Sequence, residues 1–130
     1  MEKVRGIHID TDNKCASPVT IDDDLDAYYK LLRCDTVEIV PRKIGRHIVN
    51  VVCDESGLLV QDPVISAIDG NGEIMFVGNL FIAGFYDSEG NLTSLTDEEQ
   101  KDILEKCKII PTKVHSDGLI MVTGCEYDYQ

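Results

Sequence analysis

Four basic side chains lie close together in an otherwise acidic chain, at Arg42, Lys43, Arg46 and His47. The guanidinium of arginine forms paired hydrogen bonds with phosphate and carboxylate groups, so this cluster predicts an anion site of the kind a nucleotide would occupy. The same residues also fit a hairpin tip, where cations pair with neighbouring aspartates or protect an edge strand. Exposed cations on loop tips are common, which favours the second interpretation, and both stay open.

A second group with chemical potential lies near the N-terminus, where His8, Asp10 and Asp12 alternate. At a strand end these side chains would gather as acid–base groups or metal ligands, as in a hydrolase or a nucleotide-modifying enzyme. A DTDN sequence after a strand is more typical of a solvated turn. The other histidines, His47 and His115, form no HxxxH or HxH pair. We therefore predict neither a metal site nor a cofactor.

The remaining sequence contains no catalytic motif. It has no nucleophile elbow, no phosphate-binding loop and no dinucleotide-binding glycine pattern. The five cysteines form no CxxC pair, so we expect small buried hydrophobic residues of a reducing cytosol; they are Cys15, Cys34, Cys53, Cys107 and Cys125. We assign no catalytic residue, and the sequence favours a non-enzymatic protein over an enzyme with an unrecognised site.

The elements that must position these residues begin with a strand. Alternation predicts a strand over residues 3–10, followed by a polar turn that ends at Pro18. A helix is predicted to open at Thr20, because Leu25 and the residues after it recur at helical spacing. The three aspartates over 22–24 suit the positive end of a helix dipole.

The sequence of the middle of the chain predicts β-strands. The segments TVEIV and HIVNVVCD predict an antiparallel pair joined by a loop from Pro41 to Arg46. Pro63 makes LLVQDPVISAI an edge strand or a covering loop. The apolar run IMFVGNLFIAGFY predicts one central strand, in which Gly78 and Gly84 mark a bulge or a close backbone approach.

A second helix and a last strand complete the predicted fold. Thr96 and Glu99 have the spacing of a capping box, which places a helix start there. A final strand is expected over 118–124. The sum is a single compact α+β domain over 1–130, a mostly antiparallel β-sheet with two helices packed on one face.

Charge and hydropathy limit the partners. The chain carries 24 acidic and 12 basic residues, a net charge of −12. Such a surface repels phosphate backbones, so direct nucleic-acid binding is not expected. Acidic surface charge most often keeps a protein soluble. The more specific alternative is that the carboxylates mimic DNA phosphates. No apolar run reaches the roughly 20 residues of a membrane span, and the N-terminus has no secretory pattern, so we predict a cytoplasmic protein without membrane contact.

Several segments in order resemble a known family. They are DAYYKLLRCDTVEIV, IVNVVCDESGLL, DGNGEIMFVGNLFIAG and SLTDEE, within residues 21–106. Their order and spacing resemble a family of small proteins catalogued as domain of unknown function 3846, found in Firmicutes, their phages and other mobile elements. The resemblance implies no reaction. It implies a genetic setting, that of an accessory protein of a phage or plasmid.

These observations favour a non-enzymatic binding protein with a counter-defence role. One version sequesters a small anionic nucleotide signal with Arg42, Lys43, Arg46 and His47. The other occludes a host DNA-binding enzyme through its acidic surface. Small β-rich domains often cover an edge strand by dimerising, and an apolar edge around Leu58 to Val60 predicts a candidate homodimer.

Overall fold

Ten β-strands and two α-helices form the parts of the chain that the computed structural model describes, residues 2–57 and 62–128. The first half contains β1 (Lys3–Asp10), β2 (Cys15–Asp22), α1 (Leu25–Leu32), β3 (Val37–Ile44) and β4 (His47–Asp54). The second half contains β5 (Ile65–Ile68), β6 (Ile74–Val77), β7 (Leu80–Gly84), α2 (Asp97–Lys106), β8 (Cys107–Ile110), β9 (Leu119–Val122) and β10 (Cys125–Glu126).

The larger sheet has six strands in the order β10-β3-β4-β7-β1-β2, and every neighbouring pair is antiparallel. Strands β4 and β7 lie at its centre and are almost entirely buried. Pro18 lies in the edge strand β2, where the missing N–H removes no hydrogen bond that the sheet needs. At the other edge, β10 covers only the end of β3, opposite Lys43 and Ile44.

The smaller sheet has four strands in the order β6-β5-β9-β8. Strands β5 and β9 are parallel, with Ala67 opposite Val122, and the other two pairs are antiparallel. A turn over residues 69–73 joins β5 to β6, and the Asp69 carboxylate accepts hydrogen bonds from the backbone N–H groups of Asn71 and Glu73. Strand β9 pairs with both β5 and β8, so it joins the β5–β6 hairpin to the C-terminal part of the chain in one sheet.

The large sheet separates two hydrophobic cores, because successive side chains of a strand point to opposite faces. On one face, Ile7, Val51 and Ile82 pack with Ile120 of the small sheet and Ile103 of α2. The other face carries the α1 core, which contains Val4, Tyr28, Leu32, Val52 and Phe81. The structure thus has three layers: α1, the large sheet, and the small sheet together with α2.

The predicted α+β class, with mostly antiparallel strands and two helices, is confirmed. Two details were wrong. The strands form two sheets rather than one, and the helices lie on opposite faces of the large sheet rather than on one face. No helix among the described residues is long and apolar enough to cross a membrane.

The predicted boundaries failed where a strand was taken for a turn. The segment over 15–22 forms β2, so the polar turn ends at Lys14 and not at Pro18. Helix α1 begins at Leu25, with Asp24 as its N-cap, and not at Thr20. The β2 residues pair with β1 along their full length, and this long-range pairing outweighs the local turn signal of Pro18.

The run IMFVGNLFIAGFY forms two strands in different sheets and not one. Gly78 has a φ of +79° between β6 and β7, a conformation that glycine adopts without strain. Gly84 makes the close approach that we predicted, since a Cβ there would lie 2.3 Å from the Thr93 Oγ1 atom. The predicted dimer edge, Leu58 to Val60, lies outside the described residues.

Candidate ligand-binding cleft

The structure separates the four basic residues that the sequence placed in one loop. Arg42 and Lys43 belong to strand β3, Arg46 lies in a two-residue turn with Gly45, and His47 begins β4. The predicted loop from Pro41 to Arg46 is therefore wrong, because β3 continues to Ile44. Neighbouring residues on a strand face opposite ways, so Arg42 points towards the small sheet and Lys43 towards the α1 layer.

Arg46 and His47 contact helix α2. The Arg46 guanidinium forms an ion pair with Glu98 and lies 3.5 Å from the Asp102 Oδ2 atom. The His47 Nε2 atom lies 2.7 Å from the same oxygen, and since a carboxylate only accepts, this nitrogen carries the proton. The hydrogen bond from His47, followed by the Arg46 charge, lowers the pKa of Asp102. Arg46 and His47 therefore join the β3–β4 hairpin to α2.

Arg42 has a different environment. Its Cζ atom lies 5.1 Å from the centre of the Phe76 ring and 4.7 Å from that of Tyr127, within the range of cation–π attraction. The Nη1 atom donates a hydrogen bond of 2.7 Å to the carbonyl of Pro41. The Nε atom is buried and has no hydrogen-bond partner among the described residues. One donor of this guanidinium thus remains unsatisfied.

Arg42 lines a cleft of about 240 Å³ between the two sheets. Strands β3 and β4 form one wall, β6 forms the other, and the turn after β4 closes one end. The apolar lining consists of Val40, Cys53, Ile74, Met75, Phe76 and Val77. The charged lining consists of Glu38, Arg42, Asp54 and Glu55. An apolar pocket with a few charged groups is the usual form of a small-molecule site.

The contacts of Arg42 with two aromatic residues were not predicted from sequence. Phe76 was assigned to a long central strand, and Tyr127 was one of five tyrosines that could stack on a nucleotide base, in a terminal segment and without a link to Arg42. The aromatic type of each residue was visible, but their pairing with Arg42 joins positions 34 and 85 residues apart in the chain. No local pattern carries that information.

The second predicted group, around His8, forms a structured turn. The Asp10 carboxylate accepts hydrogen bonds from the backbone N–H groups of Asp12 and Asn13, and from the Asn13 side chain. Burial raises the pKa of Asp10, but the hydrogen bonds from Asn13 and the Arg33 charge outweigh this and lower it overall. Arg33 also forms an ion pair with Asp12. Both Asp10 oxygens are therefore used inside the fold, and one Asp12 oxygen is paired with Arg33.

His8 lies beside this turn and is only 8% exposed. Burial lowers its pKa, the neighbouring Asp10 raises it, and Arg33 lowers it further. Its Nε2 atom has no hydrogen-bond partner among the described residues. Within the same residues, no group of three histidines, cysteines or carboxylates is arranged to hold a metal ion.

All five cysteines are free, and their burial differs. Cys53 and Cys125 are buried, and burial raises the pKa of each thiol to about 12. Cys107 is half-buried, with its pKa raised by burial to about 11. Cys15 is exposed, which differs from the predicted burial. A thiol with a raised pKa is a poor nucleophile near neutral pH.

The fold and the cleft define a small three-layer α+β protein with a mixed apolar and charged site between its two sheets. The chain belongs to the family described as domain of unknown function (DUF3846), whose model matches residues 4–108. This confirms the predicted resemblance and extends it at the N-terminus. The matched region includes every residue that lines the cleft, but not Tyr127. No curated protein and no solved structure matches the chain.

Proposed function

We propose that this protein is a non-enzymatic binding protein whose small-molecule ligand occupies the cleft between the two sheets. The Nε atom of Arg42 carries the proposal, because it is a buried donor without a partner among the described residues. Leaving such a donor unsatisfied costs about 1–3 kcal/mol. A ligand oxygen at this position would remove that cost, so the unsatisfied donor favours an occupied cleft.

The ring contacts of Arg42 support the same proposal. A guanidinium held against Phe76 and Tyr127 loses little further conformational freedom when it binds a ligand. Arg46 and His47 already have carboxylate partners on α2, so binding an anion there would require breaking these contacts. Of the four basic residues predicted from sequence, Arg42 is the best placed to anchor a ligand.

The proposed setting is the cytoplasm of a host that carries a phage or another mobile element, as the family resemblance implies. In that setting the protein would sequester a nucleotide signal and so act in counter-defence. A binding protein needs no catalytic group for this role. Its effect depends on affinity and on its concentration relative to the signal.

A thermal-shift screen tests the proposal directly. The panel contains nucleotides, cyclic dinucleotides and ADP-ribose derivatives, each measured with the full chain. A ligand at 100 times its dissociation constant stabilises the fold by about 2.7 kcal/mol, which raises the melting temperature by several degrees.

The variants Arg42→Gln and Arg46→Gln form a matched pair for this screen, since only Arg42 lines the cleft. We expect Arg42→Gln to abolish the shift and Arg46→Gln to preserve it. A panel without any shift, or a shift that Arg46→Gln abolishes and Arg42→Gln does not, would contradict the proposed site.

A second candidate function uses the acidic surface. Glu2, Asp23, Asp87 and Glu89 line a hollow of about 310 Å³, in a chain with a net charge of −12. Such a surface suits a basic protein, including a host enzyme that binds DNA. This version predicts that the protein captures a basic DNA-binding protein. The capture should weaken steeply between 50 and 300 mM salt, because added salt shortens the distance over which exposed charges attract each other. Capture that is independent of salt would exclude charge as its basis.

A further inference from the structure

We propose that the cleft selects a bipolar ligand, with a cationic or N–H donor group at one end and a phosphate or carboxylate at the other. This inference rests on the proposed function and adds the chemical class and the orientation of the ligand. It follows from the distribution of charge along the cleft, which the total charge of the protein does not reveal.

The charged residues lie at opposite ends of the cleft. Glu38, Val40 and Arg42 alternate along β3 and therefore share the face that lines it. A strand rises about 3.3 Å per residue, so the backbone positions of Glu38 and Arg42 are about 13 Å apart. Cys53, at the Glu38 end, lies opposite Glu38 in the β3–β4 pair.

The Glu38 end is acidic. Asp54 and Glu55 follow Cys53 at the end of β4, and both line the cleft. One Asp54 oxygen accepts a hydrogen bond from the backbone N–H of Ser56. Within the described part of the chain, the carboxylates of Glu38 and Glu55 have no hydrogen bond or ion pair. Ionised carboxylates only accept hydrogen bonds, so this end favours a donor or a cation over an anion.

The Arg42 end requires the opposite chemistry. The two aromatic rings contact the guanidinium, and Nη1 is bound to the Pro41 carbonyl. The Nε donor remains, and a guanidinium donates most strongly to a phosphate or carboxylate oxygen. An anionic group of the ligand therefore fits here and not at the Glu38 end.

The remaining lining is largely apolar. Val40 lies between Glu38 and Arg42 on β3, and Met75 and Val77 line the cleft from β6. A planar ring or an aliphatic segment fits this lining, since burial of apolar surface is favourable there. The volume of about 240 Å³ lies just below the range of about 300–1,000 Å³ that drug-sized ligands occupy, so the ligand is of mononucleotide size or smaller.

Two sources supply this chemistry. One is a nucleoside monophosphate whose base carries an amino group, with the base at Glu38 and the phosphate at Arg42. The other is a short zwitterionic peptide, with its ammonium at Glu38 and its carboxylate at Arg42. Both place a donor and an anion about 10 Å apart, on the scale of the cleft.

Calorimetric titration with four probes tests the inference. CMP has an amino-bearing base and a phosphate, UMP lacks the amino group, cytidine lacks the phosphate, and trialanine is the zwitterionic peptide. We expect either CMP to bind at least tenfold more tightly than both UMP and cytidine, or trialanine to bind while the nucleotides do not. The first result identifies a nucleotide and the second a peptide.

Two variants assign the ends. Glu38→Gln/Glu55→Gln removes two exposed carboxylates that form no hydrogen bond or ion pair within residues 2–57 and 62–128, so the fold should be retained, as the melting temperature of the free protein will show. We expect it to weaken the bound probe about tenfold and to abolish any preference of CMP over UMP. Arg42→Gln should abolish the preference of CMP over cytidine.

The failure of this inference is distinguishable from failure of the proposed function. A ligand that requires Arg42 but binds the Glu38→Gln/Glu55→Gln variant unchanged would overturn the bipolar assignment and leave the cleft as the site. If CMP and UMP bind equally, the acidic end does not select the base. If no probe and no compound of the wider panel binds, both proposals fail.

Discussion

The two arginines of the β3–β4 hairpin show how position changes the role of one residue type. Arg46 lies in the turn and pairs with Glu98 and Asp102. Arg42 lies four residues earlier in β3, points towards the small sheet and contacts two aromatic rings. An exposed ion pair contributes at most about 1 kcal/mol, so the Arg46 pairs orient α2 more than they stabilise it. Arg42 keeps a donor that is unsatisfied by any described residue, and it is the residue on which ligand binding is proposed.

His8 should make the stability of the fold depend on pH in the weakly acidic range. Its pKa is lowered from 6.5, mainly by burial, so the folded protein keeps it neutral where the unfolded chain binds a proton. The unfolded state then binds more protons, and the free energy of unfolding falls as the pH drops below about 6.5. Urea denaturation between pH 5 and pH 7.5 measures this effect.

The variant His8→Leu isolates the contribution of His8, because leucine fills similar space without titrating. Asp10 and Arg33 are present in both proteins, so a difference between their pH profiles is due to His8. We expect the variant to lose less stability than the natural chain between pH 7 and pH 5.5. Identical pH profiles of the two proteins would show that burial of His8 does not control this range.

At the scale of elements, the start of α2 is defined by four consecutive residues. The Thr96 Oγ1 atom accepts a hydrogen bond of 3.1 Å from the Glu99 N–H, and the Glu99 carboxylate accepts one of 2.8 Å from the Thr96 N–H. This capping box satisfies two donors at the helix end, as its spacing predicted. The three acidic residues of the first turn also complement the helix dipole.

Replacing Thr96 should therefore lower the free energy of unfolding by an amount typical of a lost helix cap. We expect Thr96→Ala to lower the free energy of unfolding by about 1 kcal/mol, within the range of about 0.5–2 kcal/mol for lost caps. Thr96→Ser keeps the hydroxyl and serves as the control, with most of the stability retained. Equal losses in the two variants, measured by urea denaturation, would assign the effect to the threonine methyl group instead.

Elements whose formation depends on distant pairing were harder to predict. The segment CASPVTID contains a proline and polar residues, which is typical of a turn, yet it pairs with β1 over eight residues. It can do so because it lies at the sheet edge, where one side of the strand needs no partner. Likewise Pro41 lies inside β3, whose outer side is covered only near Lys43 and Ile44.

At the scale of the whole molecule, the three layers control which thiols are accessible. Cys53 and Cys125 lie in the core between the two sheets, and Cys107 packs against it. Their pKa values of about 12, 12 and 11 follow from this burial. Cys15, in the edge strand β2, is exposed. Thiol reactivity therefore reports on whether the layers are assembled.

Labelling with a thiol reagent at pH 7.5 should give one fast reaction, at Cys15, while Cys125 reacts only as the protein unfolds. Adding urea should bring all five cysteines into the fast reaction. The variant Cys15→Ser should remove the fast reaction of the folded protein and leave the slow ones unchanged. Rapid labelling of Cys125 without denaturant would contradict the layered core.

Local interactions were sufficient to predict part of this protein from its sequence. The antiparallel β3–β4 pair, the start of α2 and the α+β class each depend on residues near one another in the chain, through capping and alternation. Tertiary packing decided the remainder. It divided one apolar run between two sheets at Gly78, put the helices on opposite faces, and set Arg42 rather than Arg46 beside Phe76 and Tyr127. These outcomes depend on which apolar surfaces are buried against each other over long sequence separations, and no local pattern determines that balance of free energies.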